Sequence, residues 1–292
     1  MVKKIFSFII SLLLMFSILV SIFLGFFKVN VTNIGLYSEA LSKSMAAKSI
    51  YDDIYSEISY LLGTYNIPRD TLNDIITVDE IKKEINDKLI YISEFIDGKK
   101  IIEEKAQDNS IYLKRLDDKL DAFIKENSIP MTEELSFDLS EIRKSIDKFL
   151  TSELNPMNIN KFLSSNLAGK VQKVISLINS DKLKYLFLGL DLLFIIIIAF
   201  IWHKHIIRGI TWIGYSFSAS GLIVFLLSFS GYISKFYNNL ILGVPYLKNT
   251  IIYLIKVWLK NLSLIGLLFI GIGIIIMILN ISHYKNKRKK VN

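Results

Sequence analysis

Leu183 to Trp202 reads LKYLFLGLDLLFIIIIAFIW, and this stretch decides the architecture. Its twenty residues, at ~1.5 Å per residue, cover the roughly 30 Å hydrocarbon core of a bilayer. A charged segment runs straight into it, so a transmembrane helix is expected to start where a helical domain in water ends. Asp191 lies near its middle, where an ionised carboxylate costs about 2.5 to 3.5 kcal/mol and persists only when it faces protein or water. All 26 other acidic residues fall between Glu39 and Asp181. Asp191 is therefore the candidate intramembrane functional residue, expected to point into a helix bundle.

Upstream, residues 28 to 182 carry 21 Lys and Arg against 26 Asp and Glu, a net of −5, whereas the remainder carries 14 against one, a net of +13. The overall charge of +8 thus comes from membrane-flanking segments, as positive loops and anionic headgroups produce, and gives no reason to expect nucleic acid. With 52% hydrophobic residues and a mean hydropathy of +0.42, the chain belongs to the membrane class. It has no cysteine, which excludes disulfides, thiolate zinc sites and Cys nucleophiles.

Within residues 28 to 182 the apolar residues recur at three and four, the pattern of an all-α domain. A long amphipathic helix is expected from Tyr37 to Tyr65, with Ile50, Ile54, Ile58, Leu61 and Leu62 on one stripe. Thr77-Val-Asp-Glu80 is a capping box opening a second helix, which carries Ile81, Ile85, Leu89, Ile90 and Ile92 and stops at Gly98. A third helix is expected over about 100 to 126 and a fourth over about 137 to 153. A fifth begins near Asn158, runs through Leu163, Leu167, Val171, Val174 and Leu177, and breaks at Asn179-Ser-Asp181 before the membrane stretch.

Toward the N-terminus, Lys3 and Lys4 precede the uncharged run Ile5 to Phe27, expected to be an uncleaved signal anchor. Ser17, Ser21 and Gly25 recur every fourth residue on it and are the candidate helix-packing ridge. Downstream, a span from Ile210 to about Ser230 is rich in Gly and Ser, including Gly214, Ser216, Ser218, Ser220 and Gly221. Its hydroxyls are expected to be the company of Asp191. Lys248, Lys256, Trp258 and Lys260 then suggest an interfacial helix near 247 to 261, lying flat with Trp inward and Lys outward. A final span, Leu262 to Ile281, leads to a basic tail.

Four spans put both ends on one side. Nine basic residues (Lys3, Lys4, Lys204, Arg208 and five from Lys285 to Lys290) mark it as cytoplasmic, against seven lysines at the other ends of the spans. Residues 28 to 182 are then expected outside the cytoplasm.

Catalytic sets are sparse. His203, His205 and His283 are the only histidines, all at expected cytoplasmic ends, and two imidazoles two residues apart on a helix diverge. Interfacial anchoring is the expected role. The domain has no histidine for Ser-His-Asp chemistry or zinc. Its acidic pairs lack the EF-hand pattern, and Gly271-Ile-Gly273 reads as packing. The expectation is a non-enzyme without cofactor or metal.

One span, a large outer domain and three further spans make a layout similar to the FtsX and MacB type of ABC-transporter subunit, which transmits ATPase motion to an external domain. In layout and composition the whole chain also resembles uncharacterised four-span membrane proteins of Gram-positive bacteria. The expected function is to bind or sense a protein partner or envelope ligand through residues 28 to 182. The alternatives are a small transporter or channel component using Asp191, and an accessory of an ABC-type system.

Overall fold

The computed structural model describes residues 2–64, 67–68, 74–96, 108–154, 166–241 and 245–289. Among these, every regular element is a helix. The helices are α1 (Val2–Phe26), α2 (Ile34–Lys43), α3 (Ala46–Gly63), α4 (Val78–Ile96), α5 (Ser110–Glu126), α6 (Glu133–Leu154), α7 (Asn166–Asn179), α8 (Asp181–Ile201), α9 (Ile206–Ser234) and α10 (Pro245–Lys289). Among the described residues, four stretches are long and apolar enough to cross a membrane: Val2–Val31, Asp181–Ile201, His203–Ser234 and Tyr246–Leu279. The chain is a multi-pass membrane protein. It divides into two compact units, Met1–Asn33 with Val174–Ile241 and Ile252–Asn292, and Ile34–Lys173 with Leu242–Ile251.

The second unit is organised by the stripe on α3. Ile50, Ile54, Ile58 and Leu62 recur every fourth residue, and all four are buried. They meet Ile81 of α4, Leu116 and Leu120 of α5, and Ile142, Ile146 and Leu150 of α6 in one core. Full burial of such side chains is worth about 1.5 to 3 kcal/mol each. Tyr246 and Leu247 from the start of α10 also pack there.

Local chemistry sets the ends of these helices. Glu80 N–H donates to Thr77 Oγ1 at 3.2 Å while Thr77 N–H donates to a Glu80 carboxylate oxygen at 2.9 Å, the reciprocal pair that the capping box demands. At the end of α5, Ser128 takes φ 52°. Its N–H donates to Lys125 O at 3.2 Å and Ile129 N–H to Ile124 O at 3.0 Å, a Schellman closure built without glycine.

The single helix expected from Tyr37 to Tyr65 is two helices. Met45 adopts φ 54° between α2 and α3, where Ser44 Oγ lies 2.8 Å from Thr250 Oγ1, so a tertiary contact accompanies the break. Residues 97 to 107 and 155 to 165 lie outside the described residues, and with them Gly98, Leu163 and the expected helix starts near 100 and Asn158. Val174 and Leu177 keep helical spacing but are 55% and 61% exposed, so neither lies in a core. Ile90 is likewise exposed.

In the first unit, α1 and α8 are antiparallel, because partners on α8 fall in number as those on α1 rise. Trp202 Nε1 donates to Ser7 Oγ at 2.8 Å, Ser21 Oγ to Asp191 at 2.8 Å, and Lys28 Nζ to Asp181 at 3.0 Å. The expected break before α8 is present, with Ser180 extended at ψ 121°. Ser11 and Ser216 join α1 to α9 at 2.7 Å. Helices α9 and α10 approach closely: a Cβ placed on Gly221 would lie 2.7 Å from Gly266 O, and one on Gly273 would lie 2.6 Å from Gly214 O. Two glycines seven apart on each helix build this seam, the small-residue geometry of close membrane helices.

Candidate functional site

The site begins with the antiparallel register of α1 and α8. The Lys28–Asp181 pair fixes one end, and Asp191 lies ten residues further along α8, about 15 Å deeper at helical rise. At that level α1 presents Ser21, whose Oγ donates to Asp191 Oδ2 at 2.8 Å. The other carboxyl oxygen, Oδ1, is buried and has no hydrogen-bond partner among the described residues. Ser17, one turn along α1 on the same face, is 5% exposed, and its Oγ is also without a partner among the described residues.

This is the company of Asp191, and it differs from the expectation. Three hydroxyls of α9 are engaged elsewhere, Ser216 with Ser11 at 2.7 Å, Ser228 with Ser263 at 2.9 Å, and Ser220 with its own Phe217 carbonyl at 2.9 Å, while the buried Ser218 Oγ has no hydrogen-bond partner among the described residues. The signal that could have found the right partner is the Ser17–Ser21 repeat together with the antiparallel order of the first two spans. Gly25, the third member of the expected ridge, makes no close helix approach, since a Cβ there would meet open space. Ser7 and Ser11, passed over in the sequence, are the buried contacts of α1 with Trp202 and Ser216.

Chemically, Ser21, Ser17 and Asp191 bring hydroxyl and carboxyl oxygens together inside a span, with one carboxyl oxygen left to accept. Such a group can exchange a proton or offer ligands to a hard cation. Around it the bundle is tied by polar contacts at both ends. Arg208 sits 5.7 Å from the Trp202 ring, and Asn261 Nδ2 donates to Asn30 Oδ1 at 2.7 Å.

The remaining sequence candidates are dispersed. The interfacial helix near 247 to 261 is part of α10, which runs unbroken from Pro245 through the last span, so no boundary falls at Leu262. Lys256 and Lys260 are exposed on it and Trp258 is half-buried, while Lys248 falls in the second unit. His203 and His205 are exposed in a short turn, and the side chain of His283 lies outside the described residues.

In the second unit, charges settle on helix faces. Arg115 pairs with Glu80 at 2.8 Å and Arg143 with Asp117 at 3.2 Å. Burial alone would push Glu80 up, but the bonds from Arg115 and Thr77 outweigh it and hold the carboxyl below its usual range. Burial raises Glu153, and the nearby charge of Asp53 adds to it. Burial pushes the Tyr112 hydroxyl up to about 12, with the charges of Glu84 and Glu80 adding to it. Lys88 Nζ donates to the carbonyl of Leu154, closing the end of α6. At the connection between α5 and α6, Ile129, Met131 and Phe137 are exposed within nine residues, Met131 at 58% and Phe137 at 64%.

No family model, curated protein or solved structure matches the chain.

Proposed function

We propose that the protein is a non-enzymatic membrane protein whose helical unit, residues 34–173, stands outside the cytoplasm and binds a partner. One observation carries this reading. The unit fully buries Ile54, Leu62, Ile81, Leu116, Ile146 and Leu150, yet leaves Ile129, Met131 and Phe137 in water around the single connection between α5 and α6. Large apolar side chains left exposed within a few residues of one another, on a unit that has its own core, are material for a binding surface. A photo-crosslinking residue at Phe137, in intact cells making the full chain, should give an adduct of one discrete mass, lost when Met131→Asp is added. The absence of a discrete adduct, or an adduct indifferent to Met131→Asp, would refute the proposal.

A second reading has its own support in Asp191, whose Oδ1 is buried without a partner among the described residues while Oδ2 is held by Ser21. A mid-membrane carboxyl of this kind suits proton or cation movement. Proton flux through the purified protein in liposomes, abolished by Asp191→Asn, would support it; equal flux in wild type and variant would remove it.

A further inference from the structure

We propose that α1 and α8 form a seat for one anionic phospholipid, with its headgroup at Lys28 and Lys184 and an acyl chain in the groove below them. The groove holds about 270 Å³ and is lined by Ser21, Gly25, Asp181, Lys184, Tyr185 and Leu188, among others. It lies just under the about 300 to 1,000 Å³ of pockets that enclose a compact ligand, a size suited to a slender chain.

Three observations converge on this occupant. The floor is open, because a Cβ at Gly25 would meet no atom within 4 Å, so the helices leave space where this small residue falls. The walls are apolar and uncovered: Tyr185 is 72% and Leu188 is 52% exposed. The rim is cationic. Lys28 bonds Asp181 at 3.0 Å, which neutralises one charge, and Lys184 of the groove lining remains as the excess on the first turn of α8. That turn is also the positive end of the helix dipole.

Depth decides between kinds of anion. Leu188 lies seven residues beyond Asp181, about 10 Å into the span, within the candidate span Asp181–Ile201. An occupant must therefore be anionic at the surface and apolar at hydrocarbon depth, which describes a phospholipid with a net negative headgroup. The lysine excess disfavours a free cation here. A soluble phosphate would satisfy the rim and leave the groove empty.

The test is native mass spectrometry of the full chain in detergent, equilibrated with equal amounts of phosphatidylglycerol and phosphatidylcholine. Wild type should retain a single phosphatidylglycerol in preference. Lys184→Gln should cut that preference about fivefold, the worth of one lysine near a charged surface. Gly25→Leu should fill the groove and reduce retention of both lipids, with its thermal unfolding unchanged because the added side chain enters open space. Equal retention of the two lipids by wild type would overturn the proposal. So would a preference untouched by Lys184→Gln, or displacement by glycerol phosphate as effective as by the diacyl lipid.

Discussion

Adding one methyl group to the seam between α9 and α10 should separate two helices. A Cβ on Gly266 would lie 2.6 Å from Phe225 N and 2.9 Å from Gly221 O, where ordinary contact begins at 3.4 Å, so the helices must part by several tenths of an ångström. Backbone atoms meet it on both counts, and backbone cannot rotate aside. Overpacking of this kind costs about 1 to 3 kcal/mol, while alanine returns up to about 1 kcal/mol in helix propensity. With that gain subtracted, Gly266→Ala should be destabilising by up to about 2 kcal/mol. Gly271→Ala, between the two seam glycines of α10 but off the contact face, provides the internal control: its Cβ would meet open space, so only the propensity gain remains. The assay is unfolding of the purified chain in mixed micelles with increasing dodecyl sulfate, followed by intrinsic tryptophan fluorescence. Gly266→Ala should shift the midpoint down and Gly271→Ala leave it level or higher. Equal midpoints for the two variants would show that α9 and α10 do not approach as described.

A double-mutant cycle on Ser21→Ala and Asp191→Ala should show a coupling of about 0.6 to 1.7 kcal/mol, the range for hydrogen bonds between membrane helices; additive effects would place the two residues apart. In the second unit, Glu80 and Glu153 should respond oppositely to pH in thermal melts. Glu80 is held below its ordinary value of 4.5, so its stabilising contribution is complete above that pH and lost as pH falls through the lower folded value; Glu80→Gln should weaken the unit at neutral pH and flatten its acid response. Glu153 is raised above 4.5, so its contribution is complete below that pH and lost as pH rises, and Glu153→Gln should raise the melting temperature at pH 7. Leu116→Ala empties a fully buried position and should cost about 2 to 5 kcal/mol in chemical denaturation. Ser128→Gly relieves a left-handed residue with φ 52° and should gain about 1 kcal/mol.

What could be read from the sequence was what local forces decide. The α3 stripe from Ile50 to Leu62, the Thr77–Glu80 box and the four apolar runs follow from helical period, capping chemistry and hydropathy, each contained in a few consecutive residues. The misreadings needed knowledge of a distant partner. Met45 turns left-handed beside a contact between Ser44 and Thr250, 206 positions apart. Ser216 was expected near Asp191 but is engaged by Ser11, and the ridge residue Ser21 holds the carboxyl instead. The lysines of α10 suggested a separate flat helix because an exposed charged face looks the same on a helix that continues as on one that stops. Asn109, expected inside a helix, instead precedes α5 and is 3% exposed, its Nδ2 donating to Asp147 Oδ1 at 2.8 Å and Thr151 Oγ1 at 2.9 Å.

The proposed placement of residues 34–173 outside the cytoplasm can be tested most directly with single cysteines in a chain that has none of its own. Ser136→Cys and His205→Cys both replace exposed side chains, and intact cells are treated with a membrane-impermeant maleimide before and after lysis. The proposal predicts labelling of position 136 in intact cells and of position 205 only after lysis; the reverse pattern, or equal labelling of both before lysis, would contradict it.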